Sequence, residues 1–167
     1  MTPVAIGLTL LVTMLVIVAA ILIGAWLRQR IDWKTLPLKP GVKYVDFSES
    51  VDPARLANAV NFALAALRQK SNFDPAAIAR LDSTLHVAIQ RVEEWHANKQ
   101  KVGGQAMGNV IYIGPSLTSL LHEIAHVLEM NEKTGEPDYD HDTWQKRGVW
   151  AADDLYRQGL SALGARP

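Results

Sequence analysis

The feature that most constrains the fold of this chain is an apolar run near its start, from Val4 to Leu27. All 17 basic and all 17 acidic side chains of the 167 residues lie beyond this run. A helix of this length, at about 1.5 Å per residue, spans the roughly 30 Å hydrocarbon core of a bilayer. The run therefore predicts one transmembrane helix within residues 1–27, with residues 4–27 in contact with lipid.

The residues on either side of the run distinguish a permanent anchor from a cleaved signal peptide. A signal peptide has a basic segment before its apolar part and a small-x-small cleavage site after it. Here the run is preceded by Met1-Thr2-Pro3, which carries no side-chain charge, and it ends at Trp26 and Leu27. A tryptophan followed by arginines is typical of a membrane interface. We therefore expect an uncleaved, single-pass anchor.

Residues 28–43 form a basic linker after the run. They contain five basic residues against the single acid Asp32, a net charge of +4. Because cations beside a span favour the cytoplasmic side, we expect the domain at residues 44–167 to be cytoplasmic, with a periplasmic or virion-associated position as the alternative. That domain holds the remaining 12 basic and 16 acidic groups, a net charge of −4. This acidic balance argues against nucleic acid as a partner.

The pattern of apolar and turn-forming residues predicts an α+β domain. Residues 42–47 and 109–113 read as strands, and Asp52-Pro53 and Asp74-Pro75 read as helix starts, since Asp is a favoured N-cap and Pro a favoured first residue. We expect the second helix to run to about Asn98. Residues 101–108 contain three glycines and are interpreted as a flexible turn.

An H-E-x-x-H motif follows the predicted strand at 109–113, as His122-Glu123-Ile124-Ala125-His126. Histidines four apart on a helix differ by only about 40° around its axis, so both can reach one metal ion. Glu123 lies on the flank of that face, where its carboxylate can act on a water at the metal. Apolar residues on the other side of the helix predict burial: Leu117, Leu120, Leu121, Ile124 and Leu128.

A third ligand is needed, because catalytic zinc takes three protein ligands and keeps one open position. Glu129 lies one turn beyond His126 on the same helix and cannot easily reach a third tetrahedral corner. His141 follows a loop that brings the chain back, and a new helix is expected near Asp142. We therefore expect one Zn²⁺ held by His122, His126 and His141, with Asp138 or Asp140 as alternatives to His141. The absence of cysteine excludes thiolate ligands.

The motif and its surroundings resemble the SprT-like zinc metallopeptidases over residues 109–150. In that family H-E-x-x-H is followed about fifteen residues later by a third histidine in an H-G-x-[WF] context, which His141-Asp142-Thr143-Trp144 matches except at Asp142. The chain lacks the cysteine-rich zinc module of many members, and the anchor is foreign to the family. The resemblance implies that His122, His126 and His141 bind zinc and that Glu123 is the general base.

These features predict a mainly helical, zincin-like domain with a small sheet, preceded by the anchor. The expected function is a membrane-anchored metallopeptidase, in which Glu123 assists attack of zinc-bound water on a peptide or protein substrate. Residues 109–113 are expected to align the substrate as an edge strand. Alternatives are a cell-wall peptide hydrolase, or a structural or assembly protein of a phage or bacterial envelope. Trp144 and Trp150 are expected to pack the last helix on the core.

Overall fold

The computed structural model describes residue 14 and residues 31–90, 96–97, 100–101, 103–132 and 141–164. The chain divides into two compact units, residues 1–32 and residues 33–167. The predicted anchor at residues 4–27 lies, except for Met14, outside the described residues. Within those residues, no helix is both long enough and apolar enough to cross a membrane.

The described part of the second unit is an α+β domain with a five-stranded mixed sheet and five helices, which confirms the predicted class. Its elements in chain order are β1 Lys34–Leu36, β2 Lys39–Asp46, α1 Pro53–Lys70, α2 Pro75–Thr84, β3 His86–Ile89, β4 His96–Ala97, β5 Gln100–Lys101, β6 Gly104–Met107, β7 Val110–Ile113, α3 Leu120–Glu132, α4 Asp142–Arg147 and α5 Val149–Gly164.

The five-stranded sheet has the order β1-β2-β3-β7-β6. Its three central strands, β2, β3 and β7, are parallel, and an antiparallel strand closes each side. Parallel neighbours need a long crossover, and α1 with α2 supply the one between β2 and β3. Strands β4 and β5 form a separate two-stranded sheet.

Both predicted helix starts are confirmed by their capping bonds. The Asp52 carboxylate accepts a hydrogen bond from the Ala54 amide at 3.1 Å, and Asp74 accepts one from the Ala76 amide at 2.9 Å. In each case a proline follows at the first helical position, where its missing N–H does no harm. The local signal thus fixes where α1 and α2 begin.

The predicted end of the second helix is wrong. α2 ends at Thr84, Leu85 is extended, and His86–Ile89 forms β3 between β2 and β7. Val87, Ala88 and Ile89 are all fully buried. A strand buried on both faces is a continuous apolar run, which helical periodicity cannot distinguish from a helix.

The glycine-rich segment is also not the turn that was expected. Gly104–Met107 forms β6, which pairs antiparallel with β7, and only Gly108 and Asn109 make the turn. Gly108 has a φ of 58°, which suits a two-residue hairpin. The strand predicted at 109–113 is confirmed as β7, but it is an inner strand. Among the described residues, β6 is the edge strand on this side of the sheet.

The sheet also begins earlier than the predicted boundary between linker and domain at residue 43. Residues 34–36 form β1, and β2 begins at Lys39, so much of the basic segment is part of the sheet. The two strands pair antiparallel, with Lys34 opposite Tyr44. Leu36 and Val42 are buried in the core, which explains why the segment is ordered as sheet.

Helix α3 lies at the centre of the domain and contacts α1, β6, β7 and α5. Its predicted apolar face is confirmed, since the residues concerned are fully buried: Leu120, Leu121, Ile124 and Leu128. The opposite stripe carries His122 and His126. The fold therefore holds this stripe between the sheet edge and the last two helices.

Gly148 separates α4 from α5 and fixes α4 against the end of α1. Its φ of 72° is in the left-handed region that favours glycine. A Cβ at this position would collide with the carbonyl oxygen of Lys70, and the Asn72 amide donates to the Arg147 carbonyl oxygen at 3.0 Å. The C-terminal end of α1 thus positions the helix that follows His141.

Candidate metal centre

Three histidines meet on the polar side of α3. His122 and His126 come from α3 and His141 comes from the residue before α4, and one ring nitrogen of each lies within 4.8 Å of the others. The two Nε2 atoms of His126 and His141 are 3.4 Å apart. Tetrahedral zinc at about 2.0–2.1 Å from its nitrogen ligands separates those ligands by about 3.4 Å. The three histidines are therefore close enough to bind one metal ion.

The three histidines differ in exposure. His126 is 7% exposed, His122 is half-buried and His141 is exposed. The predicted alternatives to His141, Asp138 and Asp140, lie outside the described residues.

Burial keeps two of the histidines neutral. Burial, together with a smaller contribution from the neighbouring imidazoles, lowers the pKa of His126 to about 3 and that of His122 to about 4. The negative charge of Asp153 raises the pKa of His122 and so opposes part of this shift. A neutral imidazole has a nitrogen lone pair for a metal, whereas a protonated one has none. At pH 7 these two rings are in the form that coordinates.

Glu123 follows His122 on α3, and its carboxylate lies against the sheet edge. Its carboxylate packs against Gly104 of β6, where an added Cβ would be 2.7 Å from Oε1. The side chain is 4% exposed, and burial raises the pKa of Glu123 to about 7. A carboxylate with a pKa near the working pH is well suited to accept and return a proton.

Gly104 is a site residue that the sequence did not reveal. Any side chain there would occupy the space of the Glu123 carboxylate and would also approach the Tyr112 carbonyl oxygen. The only signal in the sequence is the pair Gly103-Gly104, which reads equally well as a turn. The close approach depends on pairing of β6 with β7, which is not a local property.

Glu129 and Trp144 support the cluster from its buried side. The indole Nε1 of Trp144 donates to Glu129 Oε1 at 2.8 Å, and Glu129 Oε2 lies 3.7 Å from His126 Nδ1. A carboxylate hydrogen-bonded to a metal-binding histidine fixes the orientation of its ring, and here the separation is slightly longer than a hydrogen bond. The signal for this role was the spacing His126-x-x-Glu129, one helical turn, which places both side chains on one face.

Trp144 also contacts all three histidine rings. Its ring centroid lies 4.6 Å from His122, 4.8 Å from His126 and 4.6 Å from His141. It is fully buried, which confirms its predicted packing on the core, but Trp150 remains 38% exposed and the same prediction is wrong for it.

Tyr156 joins α5 to the start of α3. Its hydroxyl donates to the Leu117 carbonyl oxygen at 2.6 Å, and burial raises the pKa of Tyr156. Leu117 has a φ of 62°, so the chain turns sharply there before α3 begins. Tyr156 is therefore a packing residue that fixes two helices of the site relative to each other.

Comparison with protein-family models, with curated proteins and with solved structures gives no match for this chain. The resemblance to SprT-like metallopeptidases thus depends on the residues quoted above. The site has to be interpreted from its own chemistry.

Proposed function

We propose that this chain is a zinc-dependent metallopeptidase with a zincin-like site. The observation that carries the proposal is the combination of three clustered histidines with a buried glutamate that follows the first of them on α3. Three histidine ligands leave one position of a tetrahedral ion open, and a separate carboxylate is what hydrolysis needs in addition. The predicted anchor at residues 4–27 would keep this activity at a membrane, and the basic residues 28–43 favour its cytoplasmic side.

His122, His126 and His141 would hold the ion, and their chemistry suits zinc. Neutral imidazoles are good zinc ligands, and the cluster has no carboxylate among its three members. When bound, zinc supplies Lewis acidity that polarises a carbonyl and makes water nucleophilic near neutral pH. Glu129, held by Trp144, would keep the His126 ring in the orientation that binding requires.

Glu123 would move the proton. Its carboxylate accepts a proton from the attacking water as the water oxygen bonds to the peptide carbonyl carbon. The same group then returns that proton to the amide nitrogen as the carbon–nitrogen bond breaks, so that an acid and an amine are released. In the metal-free chain burial raises the pKa of Glu123 to about 7, so this carboxylate takes up a proton more readily than one in water does.

The sheet edge beside Glu123 suits an extended substrate. In the described part of the chain β6 pairs only with β7, so its outer side offers main-chain hydrogen-bonding groups. An extended peptide added there would pass next to Gly104 and hence next to the Glu123 carboxylate. We therefore assign substrate alignment to β6 and not to the predicted strand 109–113, because β7 is paired on both sides.

The test is Glu123→Gln in the full-length, zinc-loaded protein. We expect zinc content to stay at about one equivalent and the cleavage rate on a peptide library to fall by about 10²–10⁴. The matched control is Asp154→Asn, the same change at an exposed carboxylate of α5, which should leave the rate unchanged.

His141→Ala completes the test by removing one ligand. It should reduce zinc binding as strongly as His126→Ala does, because each variant leaves two histidines. Equal cleavage by wild type and Glu123→Gln, or no cleavage by the zinc-loaded wild type across the library, would refute the peptidase and leave a structural metal site.

A further inference from the structure

Asp153 of α5 carries a buried carboxylate with one oxygen that no hydrogen bond satisfies. The residue is 7% exposed, and its Oδ2 atom accepts a hydrogen bond from Arg157 Nε at 2.7 Å. Its Oδ1 atom is buried and has no hydrogen-bond partner among the described residues. Because a buried, unsatisfied acceptor on a charged group costs free energy, this oxygen needs an explanation beyond packing.

The neighbours of Asp153 on α5 place this carboxylate beside the first half of α3. Trp150, Asp153 and Tyr156 are spaced three residues apart, so they lie on one side of α5. The Trp150 ring centroid is 6.4 Å from that of His122, and the Tyr156 hydroxyl donates to the Leu117 carbonyl oxygen. Asp153 lies between these two contacts along α5, and its negative charge acts on His122. His122 is thus the member of the histidine cluster that this carboxylate can support.

The arrangement parallels the support of His126 on the same helix. Glu129 Oε2 lies 3.7 Å from His126 Nδ1, and Glu129 Oε1 accepts a hydrogen bond from the Trp144 indole at 2.8 Å. Asp153 is held in the same way by Arg157, through a single N–H to one oxygen. In both cases a side-chain N–H fixes one oxygen of a buried carboxylate that acts on a histidine of the cluster.

We propose that Asp153 is a positioning residue for the metal site, whose Oδ1 atom accepts a hydrogen bond, directly or through a bridging water, from the His122 ring nitrogen that does not bind the ion. This inference rests on the proposed function, of which it needs only the metal site. A metal-binding histidine usually donates its second ring nitrogen to a carboxylate, a carbonyl or water, which fixes the tautomer and the orientation of the ring. Asp153 would supply that acceptor for His122, as Glu129 does for His126.

Arg55 on α1 is the alternative partner of this carboxylate. Its Nε atom is also buried without a hydrogen-bond partner in the described part of the chain, and the charges of Arg55 and Asp153 both act on Tyr156. If Asp153 served only to balance this cation, it would stabilise the fold and have no effect on a bound metal ion. The two roles can be separated because only the first depends on His122.

The experiment compares the zinc affinities of full-length variants by competition with a chromophoric chelator. In Asp153→Asn the amide oxygen should stay with Arg157, so that the NH₂ group, a donor, takes the place of Oδ1. We expect zinc to bind about 10–100-fold more weakly. The loss should persist when His126→Ala is also present. It should vanish when His122→Ala is present, because the ring that Asp153 supports is then missing. Asp154→Asn, the same change at the next and exposed residue, is the matched control and should bind zinc as wild type does.

A second measurement needs no change at Asp153, and it decides the matter if Asp153→Asn does not fold. In NMR spectra of the zinc-loaded wild type with isotope-labelled histidine, His122 should show a ring N–H proton that exchanges slowly with water. The ring N–H of the exposed His141 should exchange rapidly and serves as the internal control.

Unchanged zinc affinity in Asp153→Asn, an equal loss of affinity with and without His122, or no slowly exchanging ring proton on His122 would overturn the inference. Lower stability of Asp153→Asn in chelator with unchanged zinc affinity would assign the carboxylate to Arg55 and overturn it as well. A zinc affinity that depends on Asp153 through His122, without peptide cleavage by wild type, would support the inference and refute the peptidase.

Discussion

Helices α1 and α3 are both deeply buried, but they bury different kinds of side chain. The buried face of α1 consists only of apolar residues: Leu56, Ala57, Ala59, Val60, Ala63, Leu64, Ala66 and Leu67. α3 buries an apolar face too, and in addition Glu123, His126 and Glu129. Burial of ionisable groups opposes folding, as the shifted pKa values of Glu123 and His126 show. α1 is therefore explained by stability alone, whereas the polar stripe of α3 is explained by what it can bind.

The largest expected effect is the loss of stability caused by a substitution in α1. Leu64→Ala should lower the free energy of unfolding by about 2–5 kcal/mol, because it removes a fully buried side chain and leaves a cavity. The loss should be the same in zinc and in chelator, since Leu64 is apolar and offers no ligand to a metal ion. Urea unfolding measures both values. Leu38→Ala, at a position 77% exposed, should change stability by less than about 0.5 kcal/mol. If the loss of unfolding free energy differed between zinc and chelator, α1 would also contribute to metal binding. The distinction between α1 and α3 would then not hold.

The second prediction concerns the free energy that it costs to bury the Glu123 carboxylate. Burial raises its pKa from 4.5 to about 7, so the folded protein holds a proton that the unfolded chain has released between these values. Its contribution to stability is present below pH 4.5 and is lost as pH rises through 7. In chelator, wild type should thus lose about 3 kcal/mol relative to Glu123→Gln between pH 4.5 and pH 8.

Urea unfolding of both metal-free proteins at a series of pH values gives this difference. The titration of His122 and His126 is common to the two proteins and cancels. Parallel stability profiles would mean that Glu123 ionises in the folded state as readily as it does in water. Burying Glu123 would then cost no stability, and in this respect α3 would not differ from α1.

A smaller effect should follow from Trp144→Phe. The variant keeps an aromatic ring but removes the N–H that holds Glu129 behind His126. Loss of such a supporting bond typically lowers metal affinity about 10–100-fold, or roughly 1.4–2.8 kcal/mol. Competition with a chromophoric chelator measures the affinity. Trp150→Phe, the same change at the neighbouring indole, is the control and should bind zinc normally. Unchanged zinc affinity in Trp144→Phe would mean that metal binding depends on the histidines and not on the hydrogen bond between Trp144 and Glu129.

What could be predicted from the sequence was local. Asp52-Pro53 and Asp74-Pro75 fixed the starts of α1 and α2, since a cap and a proline act within one turn. His122 and His126 follow from helical spacing alone. His141 needed one further argument, that a loop returns the chain, and its position beside the other two bears that argument out.

What could not be predicted depends on pairing between distant segments. Residues 86–89 satisfy a helical pattern and become a strand only because β2 and β7 flank them. Gly104 reads as part of a turn until β6 pairs with β7 and brings it against Glu123. Trp150 reads as a core residue until Gly148 redirects the chain. In each case the deciding contact is made by residues far apart in sequence.

The close packing of Gly148 against Lys70 also imposes an order on assembly. Two of the clustered histidines lie on α3, but the third precedes α4, and the place of α4 depends on the end of α1, against which Gly148 packs. A partly folded chain that lacks this docking has two histidines on one helix and holds a metal ion weakly. If the cluster binds a metal ion as proposed, tight binding would come only after α4 has docked, and the ion would then stabilise the completed domain over partly folded forms.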